Sequence, residues 1–467
     1  MFIKQLFTGN NNKAAYYIES NGEAAIIDPT RDTAIYVELA KERNVVIKFI
    51  FETHFHADFV SGHLDLSEKT GAPIIYGPET ITPFKIKKAT DGEIFDLGKL
   101  FIKVLHTPGH TLESSCFILR DEAGNESAIF TGDTLLAGDV GRPDLSTANL
   151  TSEELAAIMY DTIQTKILPL ANDLLVYPAH GTSIQNGKNL DSITVSNIGD
   201  EKKNNFALQP QTKGEFIKAA TRDLQDAPNY FQTIALLNKN GYESLEKIKA
   251  TALTAIDITY FKEKIKTDIT ILDSRNAELF LTGFIPGSIF IGLEGKFAEW
   301  CGSLLPYNKP IVLVTENGKE EETVVRLASV GFSNITGYLK GGFDAWSTAN
   351  EKTDLIIDVE ADEFAMDLPH DNNLIAVDVR KTAEFAAGHV KDALNIPLSD
   401  LTDVALMASF EDNQNLYIYC GGGYRSIIAA SLFKKQGIHN LRNIAGGWAI
   451  IKTIKKIKTE KQSSELN

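Results

Sequence analysis

Residues 269–291, ITILDSRNAELFLTGFIPGSIFI, and residues 374–396, LIAVDVRKTAEFAAGHVKDALNI, follow one pattern: apolar strand, Asp-x-Arg, short helix, Gly, second strand. Each copy continues through a further strand (PIVLV and LYIY), a helix (ETVVRLASVGF and RSIIAASLFKKQGI) and a closing GGFDAW or GGWAII. Asp273 and Gly341 lie 68 residues apart, as do Asp378 and Gly446. A supersecondary pattern repeated at fixed spacing is folded twice, so two similar α/β domains are predicted, at residues 251–355 and 356–467.

The stretch before them is built differently. Short β-branched and aromatic runs (AAYYIE, AAIIDP, VVIKFIFE, LFIKVLHT, SSCFIL, SAIFTGD, DLLVYPAH) are punctuated by Gly, Pro and Asp, with helical patterns such as TAIYVELAKER and TSEELAAIMYDTIQTKI between them. Strands and helices with histidines at strand ends predict an α/β sandwich that carries its site on loops. Residues 211–255 look mainly helical, and the first domain is taken as residues 1–250.

Composition bounds the function. The formal charge of −16 disfavours nucleic acid or an anionic membrane as partner, because phosphate binding relies on clustered Lys and Arg. No apolar stretch approaches the ~18 residues of a membrane span, and MFIKQLFTG lacks the apolar core of a secretory signal. A cytoplasmic protein is expected. Cys116, Cys301 and Cys420 are too few and too scattered for a disulfide framework. The basic segment IKTIKKIKTEK reads as a last helix turn and a solvated tail.

Three separated pieces of the first domain fit one metal site: THFHADF (53–59), TPGHT (107–111) and TGDTL (131–135). They supply His54, His110 and Asp133, and two imidazoles with one carboxylate suit a non-haem Fe(II) centre with open positions. His56, Asp58 and His180 lie close to these in the pattern. His63 and His106 are expected to cap or pack, and Cys116 to be core. Arg142, in GDVGRPD, is open between a loop salt bridge and a substrate contact for a carboxylate or phosphate.

In the second repeat, CGGGYRS follows the apolar run LYIY and precedes a helical pattern. Gly421, Gly422 and Gly423 let amides turn inward, the helix start favours an anion, and Arg425 adds charge, so Cys420 reads as a reactive thiolate in a binding loop that includes Tyr424 and Ser426. At the corresponding strand end the first repeat has TENGKEE, whose carboxylates would repel an anionic sulfur species. That copy is read as catalytically silent, with Cys301 in packing.

The first domain resembles the metallo-β-lactamase fold, an αββα sandwich, through its H-x-H-x-D element, later His, Asp and final His. The family's two-metal members carry a histidine where this chain has Phe59. The loop at Cys420, with DVR and GHVKDALNIP upstream, is similar to the active loop of rhodaneses, and less so to that of small phosphatases. The whole chain therefore resembles bacterial fusions of a persulfide dioxygenase with tandem rhodanese domains. The resemblance implies Fe(II) on His54, His110 and Asp133, with His56, Asp58 and His180 as supporting groups that orient ligands and handle protons. It implies a thiol persulfide of glutathione, coenzyme A or cysteine type, O2 and sulfite as reactants, and thiosulfate formed at Cys420. A homo-oligomer is expected. Members often carry a cysteine in the loop where this chain has Gln185 and Asn186. Two other readings stay open: a glyoxalase II-like thioester hydrolase with an appended rhodanese, and a non-enzymatic persulfide carrier or sensor.

Overall fold

A computed structural model describes residues 1–7, 13–144, 150–180, 195–222, 224 and 227–462. Gln185 and Asn186 lie outside the described residues. The chain divides into two compact units, Met1–Leu245 with Ala328–Gly331, and Glu246–Leu327 with Phe332–Asn467. Among the described residues no helix is long and apolar enough to cross a membrane.

The first unit contains two six-stranded sheets. One runs Phe2–Phe7, Ala14–Ser20, Glu23–Ile27, Val46–Phe51, Ile74–Tyr76 and Lys87–Lys88 in that order. The other runs Ser196–Asn197, Leu175–Pro178, Glu126–Gly132, Ser115–Arg120, Leu100–His106 and Ile94–Leu97. The period of two in a strand explains the layering. From Ala14–Ser20, Ala14, Tyr16 and Ile18 enter the core that also holds Val104, Phe117 and Phe130 of the second sheet. The alternate residues Ala15 and Tyr17 enter another core with Tyr36 and Ala40, from helix Ala34–Arg43. On the outer face of the second sheet, Ile118 and Ile129 pack with Ala156 and Met159 of helix Ser152–Thr162, which starts on a capping box between Thr151 and Glu154. The result is the predicted αββα sandwich.

The second unit holds both copies of the repeat as five-stranded parallel sheets of the same order: Ala255–Ile256, Ile335–Leu339, Ile311–Val314, Thr270–Asp273, Ile289–Phe290, then Ile357–Val359, Leu441–Ile444, Asn415–Tyr419, Leu374–Asp378, Leu394–Asn395. The motif residues explain each other. Arg380 forks onto Asp378, donates to the Gly388 carbonyl at 2.6 Å and lies over the Trp448 ring at 4.7 Å. In the first copy Arg275 does the same with Asp273, the Gly283 carbonyl (2.9 Å) and Phe343 (4.3 Å). Asp-x-Arg, the mid-motif glycine and the aromatic after the closing glycines are thus one buried assembly.

The basic C-terminal stretch departs from expectation. Thr459–Glu460 pairs with His389–Val390, and Ile457 is buried, so this segment is tied down by a two-stranded ladder and an apolar anchor instead of being a free tail.

Removing one partner of a fully buried ion pair leaves an uncompensated charge, which costs about 3–5 kcal/mol. Asp378→Ala and Asp273→Ala are therefore each expected to lower the stability of the second unit by about that amount, read as a lower urea midpoint, with little change in the first unit.

Candidate functional site

The first site lies where strand ends converge. His54 and His56 follow strand Val46–Phe51, His110 follows Leu100–His106, Asp133 follows Glu126–Gly132, and His180 follows Leu175–Pro178. Two glycines permit the approach. Gly132 has φ +51°, and a Cβ on it would lie 2.5 Å from Thr53 Oγ1. A Cβ on Gly141 would lie 2.2 Å from the Asp133 carbonyl oxygen and 2.8 Å from His110 Nδ1.

Hydrogen bonds on the far side of each ring set its tautomer. The Thr53 hydroxyl donates to Asp28 Oδ2 at 2.9 Å, so at 2.9 Å it accepts from His54 Nδ1. His110 Nδ1, 2.8 Å from the Arg142 carbonyl, must donate to it. Both Nε2 atoms are left with lone pairs towards Asp133 Oδ2, at 3.9 Å from His54 and 3.6 Å from His110. Burial, with the neighbouring His56 and His110, holds His54 well below the usual imidazole range, which keeps that lone pair available. The three donor atoms lie within 4.8 Å of one another. Metal bonds of roughly 2.1 Å to imidazole and carboxylate allow donors up to about 4.2 Å apart, so both measured separations fit one ion.

His56 turns elsewhere. Its Nε2 lies 3.2 Å from Asp28 Oδ1 and 3.5 Å from Glu52 Oε2, in a buried pocket that also holds His63. Burial raises Glu52 well above the usual carboxylate range and lowers His63 to about 3. Asp28 accepts from the Thr53 N–H and hydroxyl, at 2.8 and 2.9 Å, so this pocket supports the His54 loop from behind. From the other side Asn238, in helix Tyr230–Asn240, donates to the carbonyls of His56 and Phe59 and accepts from the Ser61 N–H.

His180 spans two carboxylates, with Nδ1 2.6 Å from Asp133 Oδ1 and Nε2 2.9 Å from Asp58 Oδ2. Burial opposes its charge, but Asp133 and Asp58 push it up to about 10. Asp58 also meets the Lys13 ammonium at 2.6 Å. Burial alone would raise Asp58; Lys13 and His180 hold it well below the usual carboxylate range. Arg142 pairs its guanidinium with Asp144 at 2.6 Å while its carbonyl orients His110. Lys13, Asp28, Glu52 and Asn238 belong to none of the quoted metal-site motifs; only the strand runs AAIIDP and VVIKFIFE reach two of them, Asp28 and Glu52.

The second site is the turn from strand Asn415–Tyr419 into helix Tyr424–Lys435. Cys420 is 1% exposed. Its Sγ accepts from the Gly423 N–H at 3.1 Å, and Ser426 Oγ lies 3.5 Å away. Gly447, at φ +54°, lies against the Cys420 carbonyl, which accepts from the Trp448 N–H at 2.7 Å. Gly342 has the same relation to Thr315 in the first copy, so a threonine stands at the cysteine position there. Two loop residues are engaged in ways the sequence did not suggest. Arg425 is bidentate with Glu384, at 2.7 and 2.8 Å, so its charge is already matched. Tyr424 donates its hydroxyl to the Gly292 carbonyl of the first copy at 2.8 Å. Burial pushes the Cys116 thiol up to about 11 and raises Cys301 well above the usual thiol range, which suits packing.

The family model for the metallo-beta-lactamase superfamily matches residues 8–180, and that for the rhodanese-like domain matches 257–349 and 360–453. A hydroxyacylglutathione hydrolase of Francisella philomiragia is 30% identical over 182 residues, 38% of this chain and 68% of the relative. The mitochondrial persulfide dioxygenase of Bos taurus is 27% identical over 232 residues, 47% of this chain and 80% of the relative. A crystal structure of a metallo-beta-lactamase from Staphylococcus aureus subsp. aureus COL is similar at TM-score 0.63 and 30% identity, over 73% of this chain and 99% of that one. The chain belongs to the metallo-β-lactamase superfamily, with a domain of that fold followed by two rhodanese-like domains.

A methyl group at position 141 has no room beside His110 and Asp133. Gly141→Ala is expected to cut bound metal well below one per chain, measured by elemental analysis, while circular dichroism stays native. In the metal-free protein, the raised His180 contributes stability that is complete below its ordinary value of ~6.5. That contribution is lost as pH rises through about 10. The thermal midpoint of metal-free protein should fall over this alkaline limb, and His180→Gln should flatten it.

Proposed function

We propose that the chain is a non-haem Fe(II) persulfide dioxygenase coupled to a sulfurtransferase. The observation that carries this reading is the set of two imidazoles and one carboxylate, His54, His110 and Asp133, whose donor atoms lie within 4.8 Å of one another. One iron held there would supply the binding and activation of O2. The overall step balances as RSSH, O2 and water giving RSH, sulfite and two protons. Thr53 and the Arg142 carbonyl keep the two imidazoles in the ligating tautomer. His180, bonded at both nitrogens, is the group we assign to orienting Asp133 between Asp58 and the two imidazoles.

At the second site, a further persulfide passes its outer sulfur to Cys420 and leaves as the thiol. The sulfur lone pair of sulfite then attacks that outer sulfur. The S–S bond breaks, its electron pair returns to Cys420 Sγ, where the Gly423 N–H donates, and thiosulfate departs. The Thr315 copy offers no sulfur for this chemistry.

Similarity to hydroxyacylglutathione hydrolases supports a second reading, thioester hydrolysis at a two-metal site. Anaerobic purification with metal analysis, followed by oxygen-electrode assays on glutathione and coenzyme A persulfides, separates the two. One iron per chain, oxygen uptake and thiosulfate are expected; two zincs, no oxygen uptake and hydrolysis of S-lactoylglutathione would overturn the dioxygenase reading. Cys420→Ser should keep oxygen uptake near the wild-type rate and shift the product from thiosulfate to sulfite. Complete loss of oxygen uptake in that variant would rule out separable steps.

A further inference from the structure

We propose that Lys13 is a positioning residue whose ammonium stands in for a second metal ion at Asp58, and that it fixes this centre as one that holds a single metal. The inference rests on the reading that His54, His110 and Asp133 bind one ion. Lys13 is only 8% exposed, unusual for a lysine unless its charge is matched. Its Nζ lies 2.6 Å from Asp58 Oδ2 and 4.7 Å from the centre of the Phe59 ring. The backbone fixes its position: Lys13 forms an antiparallel bridge with His180, and the Ala14 N–H donates to the Ala179 carbonyl at 2.9 Å.

Asp58 Oδ2 therefore faces two partners, Lys13 and His180 Nε2 at 2.9 Å, which occupy the lone pairs of that oxygen. The other His180 nitrogen is taken by Asp133. Lys13 thus already sets a fixed cation against the Asp58 carboxylate. A second divalent ion on Asp58 would sit against an ammonium whose backbone is fixed by the bridge to His180. Phe59 completes the arrangement: its ring offers no ligand lone pair, yet its face favours the Lys13 charge. Restoring a histidine at position 59 alone would leave the ammonium in place.

The test counts metal on the full-length chain, stripped with chelator and titrated with zinc(II), using calorimetric stoichiometry and elemental analysis after desalting. Wild type and Phe59→His are each expected to bind one zinc. The Lys13→Met/Phe59→His protein is expected to bind two, the second at least about tenfold tighter than any second zinc on Phe59→His. Lys13→Arg in the Phe59→His background, which restores a cation, should return the count to one. If Phe59→His alone takes a second zinc as tightly as the double variant, or the double variant binds one zinc with the first site intact, the proposal is overturned. Should Lys13→Met/Phe59→His lose the first zinc as well, Lys13→Gln in the same background reads the same count. Two zincs on wild type, or no loss of zinc in His110→Ala, would instead defeat the single-ion reading on which the proposal stands.

Discussion

Buried negative charge is the constraint around which the first unit is arranged. Asp58 and Asp133 project from two loops into a largely enclosed region, and an unmatched carboxylate there would oppose the convergence of the loops. His180 bonds to both, and Lys13 closes the far end of the chain. The result is a row of alternating charges that also leaves one oxygen of Asp133 facing His54 and His110. The candidate metal ligands His54, His110 and Asp133 stand at the open end of that row. The loops themselves are held from outside it, by Asn238 on one side and by the Asp28 and Glu52 pocket on the other.

The second unit solves the same problem locally. Each repeat buries an Asp and an Arg two residues apart, and the guanidinium reaches the mid-motif glycine and the closing aromatic ring. This assembly is shared by both copies, so it belongs to the fold. The chemistry differs at one position, Cys420 against Thr315, and the tight Gly447 and Gly342 contacts show that the two residues occupy equivalent places. The first copy also touches the Cys420 loop: the Tyr424 hydroxyl and the Gly292 carbonyl join them.

A two-histidine, one-carboxylate centre and a cysteine in a glycine-rich turn on one chain make sulfur oxidation followed by sulfur transfer a coherent pair of activities. The first domain is also similar to hydroxyacylglutathione hydrolases, at 30% identity over 182 residues for that of Francisella philomiragia. Phe59 and its neighbour Lys13 are the positions to which the proposal ties the number of ions the site would hold.

The αββα sandwich, the two rhodanese-like domains and the set His54, His110, Asp133 and Cys420 were legible because each is written in short-range signals: strand alternation, a repeat at constant spacing, and glycine or proline turns beside ligating residues. Arg425 was recognised by its motif but not by its partner, since Glu384 lies 41 residues earlier with no pattern linking the two. The ordered C-terminal segment was missed because lysine-rich composition is silent about the two-residue ladder at His389–Val390. Sequence alone determined which elements form and which side chains could bind metal or carry sulfur, since periodicity and turn chemistry act over a few residues. Tertiary structure decided which way His56 faces, which charge meets Asp58 and what holds the loops, because those depend on groups up to 182 residues apart whose pairing is imposed only by shared burial.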